Sequence, residues 1–188
     1  MFGFGEPEDS AIAILIADHR KVDELFKQFE AETAAARKRE LALRICDELT
    51  VHAKAEEEVF YPQSLVAFER EKMADDRRLV WEATVEHGTL EGLIAVIQDL
   101  RAGDEQLDSH VKVLKEYVKH HVREEEDQMF PTVRKTSLDM KALGRQIKAR
   151  KTELRAQMGR ANGKGRQSSG RATGSEQTGR SSGSSSRQ

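Results

Sequence analysis

Between residues 10 and 130, apolar side chains recur at intervals of three and four rather than two, which is the period of a helix face. The first such stretch runs from about Ser10, placed to cap it, to about Ala31, with Ile12, Leu15, Ile16, His19, Val22, Phe26 and Phe29 on one face. A second, from about Arg37 to Tyr61, aligns Leu41, Ile45, Leu49, His52, Glu56 and Val59. Pro62 is expected to end it, because the residue before a proline is steered away from helical backbone. A third, from about Leu65 to Leu100, carries Val80, Ala83, His87, Leu90, Glu91 and Ile94, with Gly103 in the following turn. The fourth, from about Glu105 to Phe130, carries Leu107, Val111, Leu114, Tyr117, Val118, His121, Glu125 and Met129, and Pro131 stands at its end. Four amphipathic segments with short connections predict an all-α protein, an up-down-up-down four-helix bundle over 9–135 behind an N-terminal extension, 1–8. An extra C-terminal helix is expected within 136–158, where Leu138, Leu143, Ile147 and Leu154 are spaced among basic residues. From Gly159 the chain is Gly, Ser, Arg, Gln and Thr with little to bury, so 159–188 is expected to be a disordered tail.

Composition supports this reading. Aromatics make up 5% and charged residues 34%, and there are three prolines, a profile that suits helices rather than a sandwich or barrel. The net charge of -2 hides an asymmetry. The tail has six Lys or Arg and one Glu, leaving 25 basic and 32 acidic residues for 1–158. Nucleic acid is thus a weak expectation, confined to the basic tail. The single cysteine, Cys46, allows no internal disulfide and no Cys-rich zinc site, and fits a reducing compartment. MFGFGEPEDS is acidic where a secretory signal is basic, and AIAILIA is short for a membrane span, so a cytoplasmic protein with no membrane partner is expected.

The polar members of the apolar stripes carry the candidate chemistry. His19, His52, His87 and His121 all fall on faces that should point inward, and each is followed four residues later by an acid: Asp23, Glu56, Glu91 and Glu125. Positions i and i+4 lie one turn apart on one helix face, so an imidazole and a carboxylate so spaced can reach a common point. The chain also repeats itself. HAKAEEEVFYP (52–62) matches HVREEEDQMFP (121–131), and DHRKVDELF from Asp18 matches EHGTLEGLI from Glu86. A two-helix unit used twice would bring two half-sites face to face. Burying four histidines with several acids is costly unless a cation compensates. Imidazole and carboxylate without thiolate suit iron, manganese or zinc, and six or more ligands exceed one tetrahedral zinc, so two cations are expected, with iron first and zinc or manganese behind it.

At these residues the sequence resembles the hemerythrin-like (HHE cation-binding) family: His19, His52 with Glu56, His87, and His121 with Glu125, each H-x-x-x-E followed by an acid-aromatic-proline ending. The resemblance covers about 9–158 and implies a hemerythrin-like bundle around a non-haem di-iron centre, with Glu56 and Glu125 as bridging carboxylates. It implies binding or sensing of dioxygen, nitric oxide, peroxide or iron itself. Alternatives are a redox enzyme that decomposes peroxide, which leaves enzymatic activity open, and a scaffold for the basic tail. Oxygen-carrying hemerythrins have a fifth histidine where this chain has Glu91, and an aspartate where it has Glu126. A carboxylate ligand at 91 would favour ferric iron and rapid autoxidation, and Glu126 is an alternative bridge to Glu125. The expected metal set is His19, His52, Glu56, His87, Glu91, His121 and Glu125. Tyr117 is placed either at the centre or in packing, and Asp23 either behind a ligand or at the surface. Glu57 and Glu126 are otherwise expected in solvent, His120 off the stripe, and Cys46 as buried filler.

Overall fold

The structure, a computed structural model, describes residues 7–169. It is all helical, with no strand among the described residues: α1 (Ala11–Ala31), α2 (Ala35–Ala55), α3 (Tyr61–Arg70), α4 (Arg77–Asp99), α5 (Leu107–Glu124), α6 (Phe130–Val133) and α7 (Met140–Ser169). Two five-residue π turns, Glu56–Phe60 and Glu125–Met129, join α2 to α3 and α5 to α6 without a break. No helix among the described residues is long and apolar enough to cross a membrane. Described residues up to Glu153 form one compact unit, and Leu154–Ser169 belong to a second.

Ser10 caps α1 as expected: its backbone is extended and its Oγ accepts from the Ala13 N–H at 3.2 Å. Gly103, at φ +83°, makes the left-handed turn between α4 and α5. Several helix boundaries differ from expectation. The second helix continues over Pro62 to Arg70, because the wider π turn before it leaves room for the ring and needs no N–H from it. The third segment is cut between 70 and 77, where Lys72 adopts φ 60°. The Met73 N–H donates to the Phe68 carbonyl at 2.7 Å and the Lys72 N–H to that of Glu69 at 3.2 Å, a helix stop of the Schellman type. Sequence offers no warning, since such a stop is normally written with glycine. The last helix also runs beyond 158 to Ser169, with no proline to halt it. Residues 170–188, for which disorder was expected, lie outside the described residues, as do 1–6.

α1 packs on α2, α4 on α5, and α2 on α4. The apolar stripes form two separate cores. One, near the start of α1, gathers Ile12, Leu15, Phe60, Phe68, Phe130 and Ile147; the other, near its end, gathers Phe26, Phe29, Ile45, Ile94, Ile97 and Leu114. Each fully buried Phe, Leu or Ile here contributes roughly 1.5–3 kcal/mol. Between the cores lies one polar layer.

The first turns of α7 belong to this unit. Leu143 and Ile147 are buried, and Gly144 meets the backbone of Asp9 to Ala11 so closely that a Cβ would run into the Asp9 carbonyl oxygen. Gly144→Ala should therefore destabilise the protein by about 1–3 kcal/mol in urea unfolding. Gly92→Ala, where a Cβ meets nothing within 4 Å, should instead gain about 0.5–1 kcal/mol.

Candidate metal centre

The polar layer is built by equivalent turns of the four main helices. α1 brings His19 and α4 brings His87, each one turn above an apolar core. α2 and α5 end on His52 and His121 and pass directly into the π turns that begin with Glu56 and Glu125. There the Tyr61 N–H reaches the Glu56 carbonyl and the Phe130 N–H that of Glu125, five residues back. The extra residue per turn turns Glu56, Phe60 and Tyr61 all inward, which an α-helix would not do.

Inside the layer, the Nε2 atoms of His19 and His52 lie 3.2 Å apart, and those of His87 and His121 lie 3.1 Å apart. Glu56 Oε2 is 3.2 Å from His52 Nε2 and 3.5 Å from His87 Nε2. Glu125 Oε2 is 3.2 Å from His19 Nε2 and 3.6 Å from His121 Nε2. Each carboxylate thus faces one histidine of each half. His19, His52, Glu56 and Glu125 present donor atoms all within 4.8 Å of one another, and so do Glu56, His87 and His121.

A ring of carboxylates surrounds the layer. His19 Nδ1 pairs with Glu126 Oε1 at 2.8 Å, His52 Nδ1 with Asp18 Oδ2 at 3.3 Å, His87 Nδ1 with Glu57 Oε1 at 3.1 Å, and His121 Nδ1 with Glu86 Oε2 at 2.9 Å. A carboxylate accepts, so each Nδ1 carries a proton and each Nε2 faces inward, with a lone pair wherever the ring is neutral. The aromatic residues before the two prolines complete the brace: Phe130 stacks on His19 at 5.9 Å and Tyr61 on His87 at 5.5 Å. The Tyr61 hydroxyl donates to Glu125 Oε1 at 2.9 Å.

Four inward Nε2 atoms and two carboxylates leave an unbalanced interior. Neither oxygen of Glu56, nor Oε2 of Glu125, accepts a hydrogen bond, though all three atoms are buried. Burial and the neighbouring Glu125 push the Glu56 carboxyl well above the usual carboxylate range. Burial opposes ionisation of Glu125 too, but His121 and His19 outweigh it and hold that group low. Burial holds His52 down to about 4; for His19 it is outweighed by Glu125 and Glu126, which raise the ring to about 9. Asp18 is likewise held at about 2, against its burial, by His52 and Lys151. Such a donor set is matched by positive charge at the two clusters, and the residues present fit a pair of cations.

Six of the seven expected metal residues meet in the layer: His19, His52, Glu56, His87, His121 and Glu125. Glu91 does not. Its side chain is 54% exposed and pairs with Lys54 at 2.9 Å, because the inward face of α4 passes through His87 and Leu90. The argument for ferric iron from a ligand at 91 loses its basis. Glu126 lies on the outer side of His19, neither bridging nor free in solvent, and Glu57 likewise serves His87. Asp23 is a surface acid paired with Lys27 at 2.8 Å. Tyr117 is 48% exposed; the tyrosine at the centre is Tyr61, marked in sequence only by its place in the repeat. His120 is exposed beside Glu86, and Cys46 is fully buried among apolar residues.

Residues 10–133 match the hemerythrin HHE cation-binding domain family, and residues 78–179 match it again. The chain belongs to this family. The second match begins in α4. Among solved structures, the chain is similar to a hemerythrin HHE cation-binding domain-containing protein from Mycobacterium kansasii, with a TM-score of 0.66, 19% identity, and coverage of 79% of this chain and 88% of that one. It is also similar, at 28% identity over 148 residues, to a protein named DNA nickase from Nostoc sp. (strain PCC 7120); the match takes in 78% of this chain and 40% of that relative's length.

The raised His19 pKa sets a pH dependence for the metal-free chain. Its stabilisation is complete below the ordinary 6.5 and is lost as pH rises through about 9. The urea midpoint of metal-free protein should fall across that window, and the fall should be smaller in Glu126→Gln, which removes one of the two acids responsible.

Proposed function

We propose that this chain is a non-haem, hemerythrin-like di-iron protein that binds or senses a small ligand, such as dioxygen, nitric oxide or peroxide. The observation that carries this reading is the set of buried Glu56 and Glu125 oxygens left without hydrogen bonds beside four inward Nε2 atoms. His19, His52, Glu56 and Glu125 would hold one iron, and His87 and His121 with Glu56 the other. When bound, such a pair supplies an electron-rich, coordinatively adaptable site for a diatomic or peroxide. The protein supplies the rest. Asp18, Glu57, Glu86 and Glu126 keep each imidazole in the tautomer that binds.

A cavity of about 30 Å³, floored by the four histidines and walled by Val22, Leu49, Leu90, Ile94, Val118 and Val122, has room for one water-sized molecule. Its apolar walls favour a small neutral ligand and exclude bulkier ones. One feature supports the second reading, a peroxide-decomposing enzyme: the Tyr61 hydroxyl, 2.9 Å from Glu125 and 3.4 Å from His87 Nε2, is a proton donor at the layer, with no counterpart at Phe130. The nucleic-acid reading rests on the basic tail and on the name of the Nostoc relative. Deletion of 159–188 should abolish any salt-sensitive DNA binding if it holds. The cytoplasmic assignment belongs to the same proposal.

Protein from iron-replete cells should carry two iron atoms per chain with near-ultraviolet charge-transfer absorption. Glu56→Ala should lose most of both, and a chain with no stoichiometric metal would overturn the proposal. Ferrous iron at a hundredfold above its Kd should add about 2.7 kcal/mol to the stability of the metal-free protein, read by urea unfolding under anaerobic conditions. Peroxide turnover well above that of free iron, reduced in Tyr61→Phe, would favour the enzyme reading over binding alone.

A further inference from the structure

Each of the four carboxylates that hold a histidine is itself met by a basic side chain, and one of those partners is unlike the rest. Glu126 is held by Arg20 at 2.9 and 2.5 Å, Glu57 by Lys54 at 3.0 Å, and Glu86 lies 3.3 Å from His120. These three partners sit within three residues of a histidine or acid of the centre, and their side chains are 62%, 37% and 57% exposed. Asp18 is met instead by Lys151, 133 residues away on α7, whose Nζ contacts both carboxylate oxygens and whose side chain is 8% exposed. By the internal repeat, Asp18 corresponds to Glu86, so the duplicated unit predicts no such lysine.

Lys151 is the one buried lysine among the described residues. Removing an ammonium group from water costs several kcal/mol unless its pairing is close. The position is reached only because α7 docks: Ile147, one turn earlier, is fully buried, Gly144 abuts Asp9 to Ala11, and Arg150 pairs with Glu58. The contact it supports is also the loosest of the four, His52 Nδ1 to Asp18 Oδ2 at 3.3 Å. With one oxygen shared between lysine and imidazole, the placement of Asp18 depends on Lys151.

We propose that Lys151 is a positioning residue of the centre: from the fifth helix it fixes Asp18, and through Asp18 the His52 ring, so that docking of Met140–Glu153 and metal binding at the His19–His52 half are coupled. This rests on the reading that the inner cluster holds metal. It predicts that the two halves respond differently to one substitution outside the bundle proper.

The test uses full-length protein and two readouts. Long-range nitrogen–proton NMR of the metal-free chain reports the His52 tautomer, and stepwise cobalt(II) titration reports the affinity of each equivalent. In Lys151→Met, His52 should lose its single Nδ1–H form, and one equivalent should bind about 10–100-fold more weakly while the other is unchanged. Lys151→Arg should restore most of both, and Lys148→Met, which removes a cation from an exposed position of α7, should change neither. A folded Lys151→Met chain with the wild-type tautomer and both wild-type affinities would overturn the proposal. If Lys151→Met does not fold, Asp18→Asn decides: the same selective loss is expected, and wild-type behaviour would overturn it. Should wild-type protein bind no metal, the proposed function fails, yet the tautomer comparison still decides the role of Lys151.

Discussion

Two carboxylates and four imidazole Nε2 atoms face one another in a buried layer between two apolar cores, and the rest of the structure answers to that constraint. Without a cation the layer is poorly compensated: the Nδ1 protons are turned outward, and three buried oxygens accept no hydrogen bond. Apolar burial on both sides holds the layer closed against a cost of several kcal/mol per uncompensated charge. The bundle gives the arrangement its geometry. Each helix passes from one core to the other and contributes its polar residues where it crosses the middle, so antiparallel order places the four crossings at one level.

The bracing makes site and fold interdependent. The acid that precedes His19 holds His52, and the acid that precedes His87 holds His121. The acid that follows Glu56 holds His87, and the one that follows Glu125 holds His19. Each helix therefore positions a histidine of a neighbour with a residue beside its own inner group. A helix that shifts by one residue loses its inner donor and releases a partner's ring together. Such cross-bracing explains why both copies of the repeat carry runs of acids: one acid of each run points inward and the next points along the wall.

This logic bounds what could be read from sequence. The inward groups were legible because helical period places histidine and Glu56 or Glu125 on an otherwise apolar stripe, and the four helices followed from the same period. Their outer partners were not, since a carboxylate on a helix flank looks the same whether it meets water or a neighbour's imidazole. Glu91 misled for the converse reason: four residues from a histidine is one turn along the axis but 40° around it, and on α4 that rotation leads to Lys54 and solvent. Pro62 and Pro131 were read as stops because an α-helix would break there. The π turns that precede them exist only in three dimensions, where they swing Tyr61 and Phe130 against the rings. Lys72 hid a true stop behind an ordinary residue.

The two halves share one pattern, and they depart from it at two places. Tyr61 and Phe130 occupy matching places, yet only Tyr61 has a hydroxyl, and it reaches Glu125 and His87. Asp18 and Glu86 occupy matching places, yet Asp18 takes a buried lysine from α7 whereas Glu86 takes an exposed histidine from α5. A phenol hydrogen bond alters the donor strength of the carboxylate it touches, and a buried ammonium alters that of the imidazole behind its aspartate. Tyr61 thus gives Glu125 and His87 a hydroxyl partner that Phe130 cannot offer, and Lys151 gives the His52 side of the layer a buried basic partner. Equal ligand types need not make equal sites: the inequivalence is written one layer out, in residues that never touch the inner pair of positions.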